Sequence, residues 1–150
     1  MQILAANDAH IDQWIALRQL LWDDPDDLHL QEAEKILSSD SEAAFLLFDD
    51  ENRAIGFIEG ALYLDETNKY GYVEGWFVHS DYRGRGLGGQ LLDALEQWFL
   101  HRSISLVLSD TIPAEYPLST KAHKVNGFKD LMTLQIFVKQ IDPETHPKKS

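Results

Sequence analysis

The plainest chemistry in this 150-residue chain lies in Arg83-Gly84-Arg85-Gly86-Leu87-Gly88-Gly89. A strand-like run, Tyr70 to Val78 (YGYVEGWFV), precedes it, and a helix-like run follows with Leu91, Leu92, Leu95, Trp98 and Phe99 on one stripe. A strand, a glycine-rich turn and a helix in that order form a device for holding an anion. Glycine lets the backbone approach closely and take positive φ, while the first-turn N–H groups and the helix dipole face negative charge. A ligand carrying phosphates is the expected occupant. Glu74 is the second feature: a carboxylate inside an otherwise apolar strand is costly unless partnered, so it is functional, half of a structural ion pair, or at a solvent-facing edge position.

Spacing narrows the phosphate site. A P-loop requires Lys-Ser or Lys-Thr after the glycines, and neither is there. A dinucleotide turn requires G-x-G-x-x-G after the first strand; Gly84-Arg85-Gly86-Leu87-Gly88-Gly89 has glycines at those positions but lies mid-chain, so glycine alone decides little. Composition bounds the rest. The length suits one domain, residues 1–150, with a single core. Thirteen Lys and Arg against 25 Asp and Glu give a net charge of −12, which argues against a nucleic-acid partner. An acidic field draws cationic ligands, although net charge also simply maintains solubility. The absence of cysteine excludes a disulfide scaffold, a thiolate metal site and a cysteine nucleophile; no metal is expected. No apolar run approaches membrane-spanning length and the N-terminus lacks a signal-peptide pattern, so no membrane association is expected and a cytoplasmic location fits.

The elements that must position these residues follow from the pattern. Gln2 to Ala5 reads as a strand, and Asn7 or Asp8 can cap a helix carrying Ile11, Trp14, Ile15 and Leu21. Pro25 ends that helix, and Asp26 or Asp27 caps a second one with Leu28, Ala33, Ile36 and Leu37 inward. Ala44 to Asp49 and Ala54 to Leu64 form a hairpin that leads into the Tyr70 strand, with Tyr72, Glu74, Trp76 and Val78 on one face and Val73, Gly75 and Phe77 on the other. After the long helix come a strand over Ser103 to Ser109, a loop, and a short helix over Leu118 to Val125 stopped by Asn126-Gly127. Two strands, Phe128 to Met132 and Thr133 to Gln140, and a frayed tail from about residue 142 complete the chain.

The arrangement Arg83-x-x-Gly86-x-Gly88 after a Glu-Gly-Trp-Phe-Val strand resembles the acetyl-coenzyme A loop of the GNAT N-acetyltransferase superfamily, and the element order matches over nearly the whole chain. The resemblance implies an α/β fold: a mixed, mostly antiparallel sheet with helices on both faces, and a central strand that splays from its parallel neighbour near a bulge at Glu74 to Phe77. Pantetheine adds to such a cleft like an extra strand. Three segments are similar to the aminoglycoside 6'-N-acetyltransferases in particular. Leu17-Arg18-Gln19-Leu20-Leu21-Trp22, followed by acids and Gln31-Glu32, resembles their first helix pair. Val73-Glu74-Gly75-Trp76-Phe77-Val78 resembles their central strand, and Ser109-Asp110-Thr111 followed by Ser119-x-x-x-His123-x-x-x-Gly127-Phe128 resembles their later motif. One departure stands out: Glu115-Tyr116 occupies the place of an Asp-Asn in that family, in a divergent loop from Thr111 to Leu118.

What the resemblance implies is acetyl transfer from acetyl-CoA to the 6'-amine of an aminoglycoside, hence antibiotic resistance. Glu74 would orient the ammonium and take its proton, Asp110 would bind a second ammonium or share that role, and His123 would protonate or hydrogen-bond the leaving sulfur. The amide of Val78 or a neighbour would meet the oxyanion, Phe77, Val78 and Ser119 would line the cofactor, Arg83 to Gly89 would bind the pyrophosphate, and Ser119 could also orient His123 or the substrate. Trp22, Asp23, Asp24, Asp26, His29, Tyr63 and Glu115 would join Glu74 and Asp110 around a polycationic sugar. A homodimer is expected, with the last strands near its interface. Two alternatives stay open: the same chemistry on a polyamine or protein amine, and an acyl-CoA-binding sensor without catalysis.

Overall fold

The computed structural model describes residues 1–144, and the end of the expected tail lies outside them. Five strands lie in the order β1-β2-β3-β4-β5: β1 (Gln2–Ala5), β2 (Glu42–Phe48), β3 (Ala54–Leu64), β4 (Lys69–Val78) and β5 (Val107–Ser109). All neighbours are antiparallel except β4 and β5, which are parallel. Helices α1 (Ile11–Leu21) and α2 (Asp26–Ser38) cover one face, α3 (Leu87–Leu100) covers the other, and α4 (Ser119–Val125) closes the end beyond β5. The mixed sheet with helices on both faces is the expected architecture. Among the described residues no helix is long and apolar enough to cross a membrane.

Each face has its own core. Leu91, Leu92, Leu95 and Phe99 of α3 bury themselves on Leu47, Ile58 and Val73. Trp14, Leu17 and Ala33 pack on Leu46, Phe57 and Phe77 opposite. A buried leucine or phenylalanine contributes about 1.5–3 kcal/mol, so α3 is the most firmly seated helix. Its Phe99 ring lies where Gly71 has no side chain: a Cβ there would stand 2.5 Å from Phe99 Cε1.

Local departures from the expected elements have local causes. Asn7 caps a 3-10 turn, Asp8–His10, accepting from the Ala9 amide at 2.9 Å, before α1 begins. The cap of α2 is Pro25, with Asp26 and Asp27 in the first turn, where their charge suits the helix dipole. His29, not Leu28, is the buried residue of that turn. The Ser103 strand shortens to Val107–Ser109, because Ser103 takes a positive φ of 62° and the chain must turn to bury Ile104.

The largest correction concerns the C-terminal region. The strands expected over Phe128–Met132 and Thr133–Gln140 do not form, and residues 128–144 carry no regular secondary structure. Apolar alternation marks a face suited to burial, but a strand also needs hydrogen bonds to a neighbouring edge, and residues 128–144 join no ladder. Leu134, Ile136 and Val138 are 74%, 80% and 96% exposed.

Candidate active site

The site is organised by a one-residue irregularity. Between Glu59 and Gly60 the β3–β4 register shifts, pairing Glu59 with Gly75 but Gly60 with Val73, so Glu74 is the extra residue of a bulge. A bulge inserts a residue and switches the parity of the residues beyond it. Val73, Trp76 and Val78 therefore share the α3 face, whereas Glu74, Gly75 and Phe77 look toward α1 and α2. Strict alternation would have put Glu74 with Trp76; the bulge separates them.

The β4–β5 ladder ends at the same point. Its last register pair is Val73 with Ser109, and Glu74–Val78 continue without a strand on that side. The His79 amide donates to the Ile55 carbonyl at 2.7 Å, so alternation turns the Val78 amide and carbonyl away from β3 and into the opening. The Phe77 amide, by the same alternation, faces β3 and is not a donor to the cleft. Arg83 holds the open end: its Nε donates to the Val78 carbonyl at 2.8 Å, and its guanidinium lies over Phe77.

Beyond the opening stands the glycine turn. Gly84 and Gly86 have φ of 79° and 74°, and a Cβ at either would meet nothing within 4 Å. Glycine is needed there for conformation rather than space. Gly86 caps α3 with no side-chain hydrogen bond, which leaves the amides of the first turn for a ligand. Trp76 braces this turn by donating from Nε1 to the Gly88 carbonyl at 3.0 Å. Two free-standing glycines before an uncapped helix suit a pyrophosphate, and the residues present fit coenzyme A.

On the α1–α2 face a cavity of about 380 Å3 runs from Glu74 and Trp22 to Lys35 and Glu42. Its lining also holds Asp24, Glu32 and Glu59, so the carboxylates outnumber the cations Arg18 and Lys35. Tyr63 donates its hydroxyl to Glu74 at 2.7 Å. That bond, helped by burial, pushes the tyrosine up to about 12, so it remains a donor at neutral pH. Tyr72 does the same for Asp110, and burial, then that hydrogen bond, raises its hydroxyl as well.

The cavity floor is a buried ionic hub. Arg18 (2% exposed) donates to Glu59, to Glu32 and, at 3.2 Å, to His29 Nδ1. Trp14 Nε1 donates to the other Glu59 oxygen at 2.8 Å. Burial pushes the Glu59 carboxyl up, and Arg18 opposes it. The Arg18 guanidinium also lies over the Trp22 ring, 4.8 Å from its centroid. Trp22 in turn fills the space above Gly75, where an added Cβ would stand 2.3 Å from Cη2. Gly75→Ala is therefore expected to expel the indole from the cavity wall, raising KM for the acceptor and costing about 1–3 kcal/mol of stability. Acceptor kinetics with urea unfolding of the same preparation checks both effects.

Behind β5, His123 is fixed at both nitrogens. Nδ1 lies 2.7 Å from the Ser119 carbonyl, which can only accept, so Nδ1 carries the proton and Nε2 accepts from the Ser109 hydroxyl at 2.7 Å. Trp76 and Phe128 meet the ring edge-on.

The expected site residues thus divide. Trp22, Asp24, Tyr63 and Glu74 share the cavity; Val78 and Gly84 to Gly89 form the cleft and turn. Ser119, His123 and Asp110 stand beside β5. His29 does not line the cavity: its ring is wholly buried, because its nitrogen completes the Arg18 hub. Asp23, Asp26 and Glu115 lie outside the lining; Asp26 instead accepts from Gln19 at 2.5 Å, and Glu115 sits in an exposed turn. Arg18, Glu32, Lys35, Glu42 and Glu59 went unassigned by sequence reasoning, yet all line the cavity. A signal for two existed: Trp14, Arg18 and Trp22 recur every four residues on one helix face, and Glu59 is an acid in an apolar strand, as Glu74 is.

Comparison with known proteins agrees with this geometry. The model of the acetyltransferase (GNAT) family matches residues 14–128. The aminoglycoside N(6')-acetyltransferase type 1 of Salmonella typhimurium (strain LT2) is 36% identical over 136 residues, covering 87% of this chain and 92% of that protein. Among solved structures, apo AAC(6')-IG from Acinetobacter haemolyticus superposes with a TM-score of 0.84 at 29% identity, covering 95% of this chain and 100% of that one. AAC(6')-Iy in complex with the bisubstrate analog CoA-S-monomethyl-acetylneamine gives 0.83 at 32% identity, covering 93% of this chain and 98% of the other. The uncapped α3 turn, the splayed β4–β5 cleft and the matched sequence agree: the chain belongs to the GNAT acetyltransferase family.

Proposed function

We propose that this protein transfers the acetyl group of acetyl-CoA to the 6'-amine of an aminoglycoside. The observation that carries the choice of acceptor is the cavity: carboxylates and the Trp22 face run from its far end to Glu74, at the residue where β4 leaves β5. A polycationic sugar suits such a wall, its ammonium groups meeting carboxylates and its rings an indole. Bound acetyl-CoA supplies an activated thioester. The chain supplies the rest.

An ammonium cannot attack, so Glu74 takes its proton, held in place by the Tyr63 hydroxyl. Asp110, tethered by Tyr72, receives a second ammonium or shares the base role. The Val78 amide, turned into the cleft, meets the charge developing on the thioester oxygen. The Ser109–His123 pair stands at the mouth of the cleft, and we assign to its Ser109 hydroxyl a hydrogen bond to the departing sulfur, which leaves as the thiolate and takes its proton from water. Backbone amides from Gly84 to Gly89 hold the pyrophosphate, with Arg83 and Arg85 adding charge and Ser119 fixing His123.

The protein works as one catalytic unit over residues 1–150, and a cytoplasmic location would give it its thioester. It also pairs with a second copy. The support is the apolar series from Leu131 to Ile141, which is exposed in the isolated chain. Light scattering on purified protein should return twice the chain mass; a monomer at micromolar concentration would remove the dimer. The acceptor is tested by measuring free thiol from acetyl-CoA with kanamycin and, separately, with spermidine. Turnover with kanamycin is expected. Turnover with spermidine alone would move the acceptor to the polyamines, and turnover with no amine, despite coenzyme A binding, would leave a sensor.

A further inference from the structure

At the far end of the acceptor cavity, Lys35 on α2 sets its ammonium 3.4 Å from the Glu42 carboxylate at the start of β2. The two are unequal partners. The Glu42 side chain is 18% exposed and built into the wall; the Lys35 side chain is 73% exposed and hangs on a flexible stem. Glu42 pairs across the sheet with Ala61, so it shares a face with Tyr63, two residues further along β3. Its charge is felt at the Tyr63 hydroxyl, which is itself bonded to Glu74. The wall is therefore one line of acceptors, from Glu74 through Tyr63 to Glu42. Arg18, the other cation of the lining, is buried and committed to Glu59, Glu32 and His29. Lys35 is the cation able to leave.

We propose that Glu42 is a distal ammonium subsite of the acceptor cavity and that Lys35 is its internal competitor, displaced when a long polycation binds. This rests on the acceptor reading given above. An arriving ammonium exchanges places with the lysine ammonium, so the net gain is small for the natural chain and larger once the lysine charge is gone. A short acceptor, with its charges near Glu74, does not reach Glu42 and is indifferent to the exchange. Lys35 thus sets the preference between short and long polyamines.

The test is calorimetric titration of the coenzyme A complex with neomycin and with its truncated core, neamine. For Lys35→Gln, neomycin should bind about two- to fivefold more tightly, the range expected for removing one exposed ion-pair competitor, and neamine should shift by less than about twofold. Glu42→Gln should weaken neomycin by a similar factor and spare neamine. The split between the ligands is a readout that damage to the fold would not produce. The proposal is overturned if Lys35→Gln weakens neomycin or leaves it unchanged, or if neamine moves as far. Should neither sugar bind the unaltered protein, the aminoglycoside reading fails on its own. Spermine against putrescine then decides the Lys35 proposal by the same signs.

Discussion

Glu74→Gln is expected to lower kcat by about 10²–10⁴-fold, the usual worth of a positioned general base. Glutamine keeps an oxygen for the Tyr63 hydroxyl and fills the same space, so the loss isolates the proton acceptor from the geometry. The side chain is exposed, and surface exchanges usually change stability by less than about 0.5 kcal/mol. Coenzyme A affinity should hold, because the amides of the α3 turn lie beyond Val78 and touch nothing on Glu74. Tyr63 stays protonated through neutral pH, so it should add no alkaline limb to the rate profile below about pH 10. Single-turnover acetylation against pH, with parallel calorimetry, decides the matter. A variant within threefold of the parent would pass the base role to Asp110, and Asp110→Asn would then show the large loss.

The second large effect is on stability. Arg18→Met should destabilise the fold by about 3–5 kcal/mol, because it strands a buried carboxylate without its counter-charge. A domain has only about 5–15 kcal/mol in all, so the variant should stand near the edge of folding. The sign of its pH dependence follows from Glu59. Burial raises that carboxyl, and the guanidinium now opposes the rise; without Arg18 the folded-state value climbs further above the unfolded one. Between those values the folded protein holds a proton that the unfolded chain has released, so stability falls as pH rises through that window. The gap between parent and variant should therefore be widest at about pH 8 and narrow toward about pH 5 in urea unfolding. Adding Glu59→Gln should recover part of the loss at the higher pH, since glutamine is neutral and keeps an acceptor for Trp14. Equal losses at both pH values would mean that the ion pair is not what Arg18 contributes.

A single irregularity in the sheet makes the site. The bulge at Glu74 does two things at once: it puts Gly75 and Phe77 on the same α1–α2 face as the carboxylate, and it marks where β4 parts from β5. One inserted residue thus brings an acid to the junction of a cavity on one face and a cleft along the edge. Gly75 then admits Trp22, and Trp22 carries the Arg18 hub to the cavity wall.

By itself the sequence determined what is local. The glycine turn, its uncapped helix, the hairpin and the Asn126-Gly127 stop are short-range matters of φ preference and apolar period, and each formed where its residues required. Tertiary structure alone decided what depends on partners distant in the chain. Glu42, Glu59 and Glu74 come from three strands and meet one cavity only because the sheet aligns them and the bulge resets parity. His29, expected among the residues around the sugar, is instead a buried hydrogen-bond partner of Arg18, since helix packing, not spacing, chose its side. The apolar alternation of Leu134, Ile136 and Val138 was legible too, but a strand exists only when another edge supplies its hydrogen bonds, and no pattern within one segment can provide that edge.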